Sequence, residues 1–201
     1  MNYLMFRNKL IDYTVFSTNQ IKFLFKDFDS RRLVEWQEKG YIIKIINRWY
    51  CFCETPKDEL FLYWTANRIY QPSYLSLESA LSHHGIIPEG VFTITSVSTA
   101  KTQLYQTQLG TFSYRSLKPS LFFGYEINQW QGKPILIAEP EKAILDYLYL
   151  NTHLQTVDDL EALRFNIFTL KNQLNHSKLD TYLRLFDNKL LGNRTKNLLG
   201  I

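Results

Sequence analysis

The side chains best equipped for covalent chemistry in this chain are Ser79, His83, His84, Cys51 and Cys53. Ser79 and His83 stand four residues apart in LESALSHHG, one helical turn, which brings a nucleophile and a base to one face. No G-x-S-x-G elbow is present, and no third group completes a recognisable orienting set. A capped, partly buried helix is the expected role. Glu139, Glu141, Lys142 and Asp146 hint at a nuclease-like carboxylate cluster, yet neither glutamate has a lysine two positions on. Acidic groups at a helix start are accounted for by the helix dipole. Cys51-x-Cys53 lacks the two-residue gap and the second ligand pair of a zinc site, so packed thiols are expected. The eight glycines are scattered singly, which excludes a phosphate-cradling loop. The resulting expectation is a protein that is not an enzyme and uses no metal and no cofactor.

Cations offer a different chemistry, the recognition of phosphate backbones. Residues 1–53 hold nine Lys/Arg against five Asp/Glu, a net +4. Residues 54–150 hold seven against nine, −2, and residues 151–201 seven against five, +2. Positive charge is thus concentrated in the first quarter of the chain, where it suits a nucleic-acid partner. A slightly basic surface with no partner has the same charge balance.

The elements that would position those cations lie between Val15 and Cys53. Ser17-x-x-Gln20 is a capping-box pattern opening a helix over Thr18–Phe25, with Ile21, Leu24 and Phe25 inward. Lys26–Phe28 forms a turn. Asp29 is the expected N-cap of a second helix, Ser30–Lys39, closed by Gly40, with Leu33, Trp36 and Val34 inward. Tyr41–Ile46 and Trp49–Cys53 read as strands joined by Asn47-Arg48 in a tight hairpin. Before them, Asn2–Asp12 reads as a short helix whose apolar face takes Leu4, Met5, Leu10 and Ile11. Helix, turn, helix, hairpin is the order of winged helix-turn-helix DNA readers. On that expectation Ser30, Arg31 and Arg32 enter the major groove. Thr18, Asn19 and Lys22 touch the backbone, and Lys44, Asn47 and Arg48 make the wing contact.

Glu54–Glu59, charged and containing Pro56, marks the expected boundary between a 1–54 head and a 58–201 unit. In the latter, helices are expected over Leu60–Tyr70 and Leu77–His84, the second capped by Ser76. Strands are expected over Val91–Ser98, Thr111–Leu117, Leu121–Ile127 and Lys133–Ala138. A helix follows Pro140 to about Leu150, and the remainder reads as helical over Val157–Phe165, Ser177–Asp187 and Thr195–Leu199. Strands followed by helices predict an α+β class. The apolar share is 45% and the charged share 21%, ordinary for a globular protein. No apolar run approaches the roughly 18 residues of a membrane span. The charged N-terminus MNYLMFRNKLID does not read as a signal peptide, and a cytoplasmic location without membrane contact is expected.

Three segments together carry a family resemblance: the VFSTNQI start of the first capped helix, YLSLESALSHHG at Tyr74–Gly85, and IAEPEKAILDYLY at Ile137–Tyr149. In order and spacing they resemble the AbiEi-type antitoxins, abortive-infection transcriptional regulators. The resemblance runs over nearly the whole chain. It implies an N-terminal winged helix-turn-helix followed by a larger α+β antitoxin domain. It further implies repression of the protein's own promoter through operator DNA, and functional antagonism of a nucleotidyltransferase-like toxin, with or without a direct complex. The chain departs from the family at the hairpin tip, where Asn47-Arg48-Trp49-Tyr50 contains no glycine. A second reading makes the winged helix structural, with the C-terminal unit binding a toxin or its substrate. A nucleic-acid-cleaving enzyme is the third, without an acid–base or metal constellation to serve it.

Overall fold

The computed structural model describes residues 2–88 and 90–200, and its class is α+β. The chain opens with α1 (Tyr3–Leu10), β1 (Val15–Ser17), α2 (Thr18–Leu24), α3 (Arg31–Glu38), β2 (Ile42–Ile46) and β3 (Trp49–Phe52). The three strands form an antiparallel sheet in the order β1-β3-β2. α1 is capped by Asn2, whose Oδ1 accepts the Met5 N–H at 2.9 Å. Its buried residues are Phe6 and Leu10, while Leu4 and Met5 are 61% and 55% exposed, contrary to the expected face. Ring packing decides this: Phe6 meets the rings of Phe16, Phe25, Phe28, Trp36 and Phe52, a payload Leu4 could not match.

Strand periodicity assigns the sheet two jobs. Phe16, Ile42, Tyr50 and Phe52 face the helices and join Phe6, Leu10, Ile21, Leu33 and Trp36 in one core. Val15, Ile45 and Cys51 point the other way, into the core of the following unit, with Ile43, Ile46 and Trp49 packed beside them. Successive strand residues alternate between faces, so one short sheet serves two cores. The register between β2 and β3 slips between Lys44 and Ile46, and this bulge turns both Ile45 and Ile46 to the second core.

The following unit is a six-stranded mixed sheet in the order β6-β7-β5-β4-β9-β8. It comprises α4 (Glu59–Ile69), β4 (Ser73–Leu75), α5 (Leu77–His83), β5 (Thr93–Ser98), β6 (Gln103–Thr107), β7 (Gly110–Ser116), β8 (Tyr125–Trp130), β9 (Lys133–Ala138) and α6 (Pro140–Leu150). Four helices complete it: α7 (Val157–Glu161), α8 (Ile167–Gln173), α9 (His176–Phe186) and α10 (Lys189–Leu199). α4 packs on β4 and β9, and α5 packs between β5 and α6. As expected, Ala143, Ile144, Leu145 and Leu148 of α6 are fully buried. The expected strand Leu121–Ile127 is instead a 3-10 turn at Pro119–Leu121 and a strand starting at Tyr125. Gly124, at φ +72, breaks the run. A Cβ there would stand 2.9 Å from the Tyr182 ring and 3.1 Å from the Lys142 side chain. Among the described residues, no helix is long and apolar enough to cross a membrane.

Candidate nucleic-acid interface

The start of α2 is fixed by a complete capping box. Ser17 Oγ accepts the Gln20 N–H at 3.2 Å, and Gln20 Oε1 accepts the Ser17 N–H at 2.8 Å. The next amide, Thr18 N–H, donates to the Arg48 carbonyl at 2.9 Å. That bond brings Thr18 and Asn19 beside the hairpin tip, so two of the three predicted contact groups meet. Thr18 is half-buried there, and Asn19, Lys22, Lys44, Asn47 and Arg48 are exposed. Lys44 and Asn47 also border a shallow groove closed on its far side by Gln106, Thr107 and Gln108.

The third group, Ser30, Arg31 and Arg32, stands at the start of α3. Ser30 and Arg31 are exposed and Arg32 is half-buried. The helix begins at Arg31, and the N-cap position belongs to Ser30, whose hydroxyl makes no capping bond, rather than to Asp29. Asp29 nevertheless satisfies the first-turn Arg31 N–H at 3.0 Å. It also grips the Arg31 guanidinium, with Nε at 3.0 Å and an Nη at 2.8 Å. This contact holds the Asp29 carboxyl below the usual carboxylate range. At the far end of the helix, Lys39 pairs with Glu35 at 2.6 Å. Arg31 and Lys39 are therefore matched by carboxylates, while Arg32 has no ion-pair partner among the described residues. Val34, expected inward, is 56% exposed, because Leu33 and Trp36 already occupy the inner face. Gly40 takes the left-handed conformation expected of it, φ +68.

The hairpin tip solves its missing glycine by placing Arg48 at φ +69. That region disfavours side chains with a Cβ. The backbone is thus strained at a residue whose side chain projects into solvent.

A second constellation lies in the following unit, where separate motif residues meet. Tyr74 Oη and Ser76 Oγ each donate to Asp146 Oδ2 at 2.9 Å, and Lys142 Nζ bonds Asp146 Oδ1. Ser76 therefore bonds α6 and does not cap α5. The Lys142 and Asp146 side chains are wholly inaccessible. The ammonium lies over the rings of Tyr74, Phe123 and Phe186, at 5.5, 5.1 and 4.9 Å. Burial pushes Asp146 up and Lys142 down, each opposed by the other's charge. This set, closed to solvent, locks β4 to α6. Other motif residues do similar work. Ser79 Oγ accepts the Thr95 N–H at 2.8 Å, and His84 Nε2 is 2.8 Å from the Ala138 carbonyl. Glu141 accepts the Asn175 N–H at 2.6 Å. Neither histidine hydrogen-bonds Ser79, so no nucleophile–base pair forms among the described residues. The described residues also include no group of three or more His, Cys, Asp and Glu placed to hold a metal ion.

Sequence reasoning missed Phe23, 85% exposed on α2 directly beside Lys22. Its only signal was position: with Ile21 and Leu24 inward, residue 23 falls on the opposite side of a 3.6-residue helix.

No family model matches this sequence, and no curated protein matches it.

Proposed function

We propose that this chain is a DNA-binding repressor and the antitoxin of a toxin–antitoxin pair. The reading rests on one observation above the others. The helix pair and the hairpin after it carry Asn19, Lys22, Arg31, Lys44 and Arg48 exposed and Arg32 half-buried, on the most positive segment of the chain. Taken as a winged helix-turn-helix, α3 enters the major groove by its Ser30–Arg32 end, and Thr18, Asn19 and Lys22 meet phosphates. The Asn47-Arg48 tip lies along the flanking backbone. Arg31 exchanges Asp29 for phosphate as it docks, and Arg32 needs no exchange. The antitoxin role comes from the resemblance of the Tyr74–Gly85 and Ile137–Tyr149 motifs. Their convergence on Asp146 supports reading them as one scaffold, with the countered toxin nucleotidyltransferase-like.

The test is a gel shift on the DNA upstream of the gene, repeated over a salt series. Arg31→Ala with Arg32→Ala is expected to weaken binding across sequences and to lower the salt slope by roughly one for each phosphate no longer neutralised. Unchanged affinity in the double variant would remove α3 from the interface.

A second reading has its own support. Phe168 (77%), Leu185 (54%) and Leu190 (73%) are exposed on the late helices. Joined in one contiguous patch, such residues would suit a protein partner. In that case the first unit is structural and the second binds a toxin or its substrate. Salt separates the two: DNA affinity falls steeply with it, and an apolar contact does not.

A further inference from the structure

Beneath the junction of the two units lies a cavity of about 590 Å³, within the range of small-molecule sites. The first unit contributes Asp12 and Tyr13, and the second contributes the remaining lining. Three kinds of group converge on it. Aromatic walls come from Tyr13, Trp64, Phe122 and Tyr125. Two cations, Arg68 and Lys133, border it, and neither has an ion-pair partner among the described residues. Both are held on aromatic faces: Arg68 lies 5.6 Å from the Trp49 ring, and Lys133 lies 5.7 and 5.8 Å from those of Trp64 and Trp130.

The third group is Asn67. Its Oδ1 accepts the Leu136 N–H at 2.7 Å, which fixes the amide's orientation. Its Nδ2 is buried and has no partner among the described residues. A buried donor without an acceptor carries an uncompensated desolvation penalty.

We propose that this cavity binds a planar, ring-bearing anion of about mononucleotide size. The ring stacks among the aromatic side chains that line the cavity, and the anion lies between Arg68 and Lys133. Aromatic walls and two cations without ion-pair partners, set against the one carboxylate of Asp12, define that chemistry together; an uncharged apolar ligand would leave the cations unused. The inference does not depend on DNA binding.

The full chain is titrated with AMP, GMP, CMP and UMP, and with indole-3-acetate as a ring-bearing anion without phosphate. Inorganic phosphate and adenosine serve as half-ligands. Tryptophan fluorescence and calorimetry are the readouts. Saturable binding of at least one ring-bearing anion with a Kd below about 1 mM is expected, and the arm that binds identifies the source. Arg68→Gln with Lys133→Gln should weaken it by at least about tenfold. Should circular dichroism show the double variant unfolded, each single variant takes its place. No saturable binding by any ring-bearing anion overturns the proposal. So does equal binding of phosphate or adenosine alone, or unaltered affinity in the folded variants.

Discussion

Lys142 shows how a single residue can look reactive in sequence and be structural in space. An ammonium with zero exposure is tolerable because Asp146 neutralises it, three rings cover it and Gly124 leaves room for its stem. Lys142→Met alone strands the Asp146 carboxylate and should destabilise the protein by about 3–5 kcal/mol in urea unfolding. Adding Asp146→Asn, which keeps an acceptor for Tyr74 and Ser76, should restore part of the loss, with a coupling of about 1–3 kcal/mol. Strict additivity would mean that the two charges do not depend on each other. Asp29 is the surface counterpart. Removing it as Asp29→Asn frees Arg31, and on the proposed DNA-binding role affinity for the upstream DNA at low salt is expected to rise by roughly twofold to fivefold. A fall in affinity in the gel shift would show that Asp29 positions Arg31 and does not compete for it.

Secondary elements were legible where their determinants are local. The Ser17–Gln20 box, Gly40, the Asn47-Arg48 hairpin and the Pro140 helix start each depend on neighbours within four residues, and each stands where the sequence placed it. β6 was not legible. QLYQT is polar and lies at a sheet edge, so half-exposed side chains erase its apolar alternation. β4 is only three residues long, and α8 has a single buried residue, Leu170. The Tyr74–Asp146 bond spans 72 positions, and the Asn67 cavity joins Tyr13 to Leu136; neither has a local signature. The hairpin tip gives the element-scale prediction. Arg48→Gly relaxes a left-handed backbone, so denaturant unfolding should show stability unchanged or raised by up to about 1 kcal/mol, while DNA affinity drops. A loss of stability would mean that the side chain contributes to packing.

At the scale of the molecule, the β1-β3-β2 sheet is the joint. Cys51 sits on its face toward the second unit, fully buried, with its thiol pushed up to about 12 by burial. Cys53, past the end of β3, is only half-buried. Iodoacetamide at pH 8 should therefore label Cys53 in the native protein and spare Cys51, and both should react in denaturant. Native labelling of both thiols, read by mass spectrometry, would show that the two units part readily. The shared sheet also bears on inheritance. A recombination event that exchanged the first 54 residues between related genes would transfer Val15, Ile43, Ile45, Trp49 and Cys51 without the surface they pack against. Viable hybrids would be those in which the recipient body already fits that apolar face. On the proposed DNA-binding role, new specificities should therefore arise more readily by point substitution on the outer faces of α2 and α3 than by swapping the segment whole.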